Sequence, residues 1–136
     1  MNKVAVLSLD KKYESDAKKI SALARKVFLL LKKNNLAADI YLIGNRTMRK
    51  LNRTYRKKDK ATNVLTFCEP KKFINAPSKY KYLGEIHISP DFIKSRRQDM
   101  NLIVVHGMLH LLGYDHKTAK ERMAMEKKER LLLEKN

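Results

Sequence analysis

The sequence predicts a single domain of the mixed class, α/β or α+β, built on one β-sheet. Two observations lead there: segments with helical periodicity alternate with short runs rich in β-formers, and no linker or internal repeat divides the chain. A chain of 136 residues can also bury one core without a disulfide or a structural metal, so residues 1–136 are read as one domain.

The elements follow in order. The opening MNKVAVLSLDKKYE has a very short apolar run followed by charges, without the longer apolar core and small-residue cleavage site of a secretory signal. No run of about 18 apolar residues exists, so no membrane span is expected, and the lone Cys68 agrees with a reducing compartment, the cytoplasm. Residues 15–33 form a helix with Ile20, Leu23, Val27, Leu30 and Leu31 on one face, and Asn34 and Asn35 stop it. ADIYLIG, 38–44, reads as a strand. Asn45 then caps a helix whose apolar face is Met48, Leu51 and Tyr55, with Arg46, Arg49, Lys50 and Arg53 on its exterior.

TNVLTF, 62–67, and YLGEIHI, 82–88, are further strands, and the proline- and lysine-containing segment 68–81 between them is a loop. Ser89, Pro90 and Asp91 begin a helix, proline being favoured early in the first turn. NLIVVHGMLHLLG, 101–113, is apolar enough for a buried helix or a buried strand, and its histidine spacing decides for helix. Thr118 and Glu121 make a T-x-x-E capping box for the last helix, 121–135.

Charge narrows the partners. Thirty-one Lys and Arg against fourteen Asp and Glu leave a formal net charge of +17, which attracts polyanions and puts nucleic acid first. A lysine-biased surface with no such partner is the plain alternative.

Three of the four histidines fall in HGMLHLLGYDH, 106–116. His106 and His110, four apart, come to one side of a helix, about 40° apart around its axis. Gly113 can take the positive φ that ends the helix, so the chain turns and brings His116 to the same ion. Three neutral nitrogens suit Zn²⁺ and leave a fourth position open, as in a catalytic site. Asp115 is the candidate carboxylate behind them. His87 and Cys68 are read as ordinary structural residues. The spacing resembles the metzincin pattern, but that pattern's general-base glutamate is replaced by Gly107, which argues against proteolysis. Phosphodiester chemistry fits better, given a cation to hold the phosphate. Arg56 is that candidate, because its planar fork matches phosphate oxygens.

HGMLHLLGYDH, LN..YR.KD..T.VLTF and LGEIHIS together resemble the YbeY family of bacterial endoribonucleases, the rRNA maturation factors, from about Ile40 to Leu133. The resemblance implies an α+β fold with a small mixed sheet of about four strands flanked by helices and a zinc site on a helix and the turn after it. It implies Zn²⁺, one per chain, on His106, His110 and His116, with His106 and Arg56 as catalytic residues. It further implies RNA cleavage in ribosomal RNA processing and ribosome quality control, with small-subunit assembly components as partners; the oligomeric state is left open by the sequence, a monomer being the simplest expectation. Arg46, Arg49, Lys50, Arg53, Lys57 and Lys58 would grip the RNA backbone. A non-catalytic RNA-binding assembly factor with a structural zinc, and a metallohydrolase of another substrate class, are the alternatives. Departures from the family pattern are Asn63 for its aspartate, Thr66 for its serine, Glu85 for its second aspartate, and a shorter run from Ser89 to His106.

Overall fold

In the computed structural model, which describes residues 1–69 and 79–135, the apolar runs meet in one mixed sheet with helices packed on it. Strand β1 (Lys3–Ser8) lies parallel to β2 (Leu36–Leu42), β2 parallel to β4 (Lys81–Ile88), and β4 antiparallel to β3 (Val64–Cys68). The order β1-β2-β4-β3 leaves β1 and β3 at the two edges. Alternation explains the central strand: Leu36, Ala38, Ile40 and Leu42 are buried while Ala37, Asp39 and Tyr41 point the other way. Strand β1 carries too little apolar alternation to stand out, since Val4 is its one buried residue. It supplies the fourth strand, from the very short apolar run near the N-terminus.

Helices α1 (Glu14–Leu30) and α4 (Met100–Leu111) pack together and against the sheet. Between them lie Ile20, Val27, Phe28, Val104 and Leu109 against Ile40, Ile86 and Ile88, each at most 2% exposed. Helix α5 (Ala119–Glu134) adds Met125 and Leu132 to this core and starts at Thr118, whose hydroxyl accepts from the Glu121 amide at 3.1 Å. The short α3 (Pro90–Ser95) starts at Ser89, whose hydroxyl accepts from the Phe92 amide, with Pro90 in its first turn.

Several boundaries depart from the sequence reading for visible reasons. Helix α1 stops at Leu30, because Lys32 takes φ +56° and the amides of Lys32 and Lys33 bond back to Leu29 and Phe28, both at 3.0 Å. Its buried face contains Ala24 and Phe28, while Leu30 and Leu31 lie at its margin. Helix α2 (Asn45–Arg56) is capped at Gly44, and Asn45 instead accepts a 2.8 Å hydrogen bond from the Ser89 hydroxyl. Its buried positions are Met48 and Asn52, not Tyr55, which is 60% exposed with its ring edge-on to Phe67. Asn52 is held by its amide donating to Lys60 O at 2.9 Å. Of the expected loop 68–81, Cys68 closes β3 and Lys81 opens β4, and residues 70–78 lie outside those described.

Candidate metal centre

Helix α4 is apolar on most of its circumference, so it is buried on nearly every side. Asp99 starts it, its carboxylate accepting from the amides of Asn101 and Leu102 at 3.0 and 3.4 Å. His106 and His110 form its one half-buried polar stripe, their ring centroids 4.7 Å apart. The helix ends where Gly113, at φ +98°, bonds to His110 O and Tyr114 bonds to Leu109 O, both at 3.0 Å. That turn carries the exposed His116 back, with its ring centroid 5.0 Å from His110 and 5.8 Å from His106. One nitrogen from each of the three rings falls within 4.8 Å of the others.

This donor set fits a metal. Nitrogens about 2.0–2.1 Å from a tetrahedral zinc stand roughly 3.3 Å from one another, and Nε2 of His106 is 3.1 Å from Nε2 of His110. Burial, together with the neighbouring His106 and His116 rings, pushes the His110 pKa below the usual histidine range, with Asp115 opposing. The neutral ring is thereby favoured, and only a neutral ring offers a lone pair to an ion.

Behind His106 stands a residue that sequence reasoning missed. Nδ1 of His106 is 2.8 Å from Oε1 of Glu129, a side chain only 11% exposed on α5. Met125, Glu129 and Leu132 are the buried positions of α5, so the available signal was a carboxylate set into an apolar stripe. Asp115, the residue expected in that role, acts differently: its Oδ1 accepts from the His116 amide at 2.7 Å and its Oδ2 lies 3.8 Å from Lys117 Nζ. It shapes the turn carrying the third histidine and, among the described residues, makes no hydrogen bond to a histidine ring.

Edge strand β3 connects this cluster to Arg56. At the end of α2, the Arg56 guanidinium donates through Nη2 to Thr66 O at 3.0 Å and sits 5.6 Å from the Phe67 ring centre. Two residues on, about 7 Å along a strand, the Cys68 thiol lies 3.6 Å from His110 O. Arg56 and His110 are thus docked on one five-residue strand. Cys68 touches the backbone of a clustered histidine rather than joining the nitrogens. His87 is elsewhere, stacked on Tyr41 at 4.8 Å with Nε2 3.1 Å from Glu85. Arg46, Arg49, Lys50, Arg53, Lys57 and Lys58 are all exposed. Arg49 is forked onto Asp59 at 2.8 and 3.1 Å and Arg53 lies 3.7 Å from it, whereas Arg46, Lys50, Lys57 and Lys58 have no carboxylate partner among the described residues.

The family model described as endoribonuclease YbeY matches residues 3–136. The chain belongs to the YbeY family. Among its curated relatives, the endoribonuclease YbeY of Aquifex aeolicus (strain VF5) is 36% identical over 128 residues, 88% of this chain and 81% of that protein. That of Ehrlichia chaffeensis (strain ATCC CRL-10679 / Arkansas) is 41% identical over 104 residues, 71% of this chain and 64% of the relative. A solution structure of a Thermotoga maritima protein shares the fold, with a TM-score of 0.55 at 23% identity over 98% of this chain and 87% of the other. Asn63, read from the sequence as a departure from the family pattern, donates its side-chain amide to Gln98 Oε1 at 3.1 Å, and its backbone carbonyl accepts from the Ser89 amide at 3.0 Å. The run from Ser89 to His106 holds all of α3 and the first part of α4.

Proposed function

We propose that this chain is a zinc-dependent, single-strand-type endoribonuclease of ribosomal RNA maturation and ribosome quality control. The observation that carries the reading is the open three-histidine cluster joined through β3 to an exposed arginine, in a YbeY-family chain of charge +17. His106, His110 and His116 would hold the ion. When bound, it supplies Lewis acidity toward a phosphate oxygen and activates water at neutral pH. His106 and Arg56 are the catalytic pair in this reading, one holding the ion and the other meeting charge on the phosphoryl group. Arg56 spends one N–H on Thr66 O and keeps the rest of its five-donor fork for phosphate oxygens. Gly107 offers no base and faces Ile86, so a protease-type proton acceptor has no place at that position.

Arg46, Lys50, Lys57 and Lys58 contact the RNA backbone, with Arg49 and Arg53 free to join them by leaving Asp59. The partners are ribosomal RNA and small-subunit assembly components, and the protein works as a monomeric single domain in the cytoplasm. Among the described residues no helix is long and apolar enough to cross a membrane.

Metal analysis beside cleavage of a single-stranded RNA tests this reading. His110→Ala should lose stoichiometric zinc and cleavage together, as EDTA should in the parent. Arg56→Ala should keep zinc and lose about 10²–10³-fold in rate, the scale of a removed charge-stabilising donor. Equal cleavage with EDTA and with His110→Ala would sink the zinc mechanism.

A further inference from the structure

We propose that Glu129 is a positioning residue for His106, fixing which nitrogen of that ring faces the ion. The inference rests on the zinc reading above and deepens it. A carboxylate oxygen only accepts, so its 2.8 Å contact with Nδ1 of His106 places the ring proton on Nδ1. The lone pair then belongs to Nε2, the nitrogen that lies 3.1 Å from Nε2 of His110. His106 needs such a partner: its side chain is 33% exposed, and an imidazole left alone can carry its proton on either nitrogen and turn about its ring axis.

Glu129 is itself held in place. Its side chain is 11% exposed, and it is buried on α5 with Met125 and Leu132, which are 1% and 4% exposed. Helix α5 packs on α4, so the carboxylate arrives on a rigid element rather than a loop. One hydrogen bond thus links the metal centre to the last helix, which its own apolar residues hold in place.

A bare structural brace between α4 and α5 would predict something else, and four proteins separate the two. In full-length chain, zinc affinity is measured by competition with a chromophoric chelator. Glu129→Leu keeps the helix and the burial but removes the acceptor, and should bind zinc about 10–100-fold more weakly. Glu129→Gln retains an acceptor oxygen at the same reach and should stay within about threefold of the parent. Leu132→Ala loosens the same helix contact without touching the ring, and should lower thermal stability while leaving affinity within about threefold. Nitrogen-edited NMR of zinc-loaded protein should show His106 bound through Nε2 with its proton on Nδ1 in the parent and Glu129→Gln.

Parent-like affinity in Glu129→Leu, an equal loss in Leu132→Ala, or coordination through Nδ1 overturns the positioning role while leaving the zinc reading standing. A parent chain that takes up no zinc overturns both.

Discussion

At position 107 the helix lies close on the sheet: a Cβ there would be 3.2 Å from Ile86 Cγ2, a tight contact, and 3.6 Å from Val64 Cγ2, leaving no room for a long side chain. The missing glutamate of the protease-like pattern is thus a packing matter as much as a chemical one. Restoring it by Gly107→Glu should place a carboxylate in the α4–sheet contact and cost about 3–5 kcal/mol, read by urea unfolding, without creating peptidase activity. A variant as stable as the parent would mean that the helix can lift off the sheet. The three histidines were legible because a helical repeat and one turn bring close sequence neighbours together. Glu129 was not, because it stands 23 residues from His106 in a helix full of Lys and Glu, where one more carboxylate looks like surface.

Elements are joined by polar contacts at their ends, and these show where periodicity stops being informative. The Tyr13 hydroxyl, at the start of α1, donates to Asp91 in the first turn of α3 at 2.7 Å. That bond, helped by Lys12 at 3.2 Å, holds the Asp91 carboxyl below the usual aspartate range, while burial and then Asp91 itself push the Tyr13 hydroxyl up. A carboxylate whose folded pKa is depressed contributes stability above its unfolded value, near 3.9, and loses it as pH falls through the lowered folded value. Tyr13→Phe should therefore cost about 1 kcal/mol at neutral pH, with the gap to the parent closing on the acid side of about pH 4. Urea unfolding at the two pH values checks this, and a gap that stays constant would put the cost in packing. Helix α4, apolar nearly all round, was readable because only a helix brings histidines four apart close enough to share an ion. Edge strand β1 was not, since one buried valine makes no pattern, and the end of α1 was misplaced because a left-handed turn already comes at Lys32, three residues before the equally left-handed Asn35.

For the molecule as a whole, the charge of +17 and the exposed cations of α2 should make the proposed RNA affinity salt-dependent. With about five phosphate contacts to a single strand, raising salt from about 50 to 200 mM should weaken binding on the order of 10²-fold. Lys50→Ala and Lys57→Ala should each lower the slope of log affinity against log salt by about 0.7, and Arg49→Ala by less because Asp59 already engages it. An affinity indifferent to salt would remove the electrostatic grip. The hydrogen bond from Arg56 to Thr66 has a second consequence at this scale. Strand β3 is a sheet edge, and an edge carbonyl is where a strand from another chain would begin to pair. One N–H of the guanidinium covers that acceptor while its other donors can take a phosphate. The side chain proposed to meet the substrate thereby also covers the sheet edge, and Arg56→Ala should expose that carbonyl to edge-to-edge association, read as a rise in dimer or aggregate by light scattering.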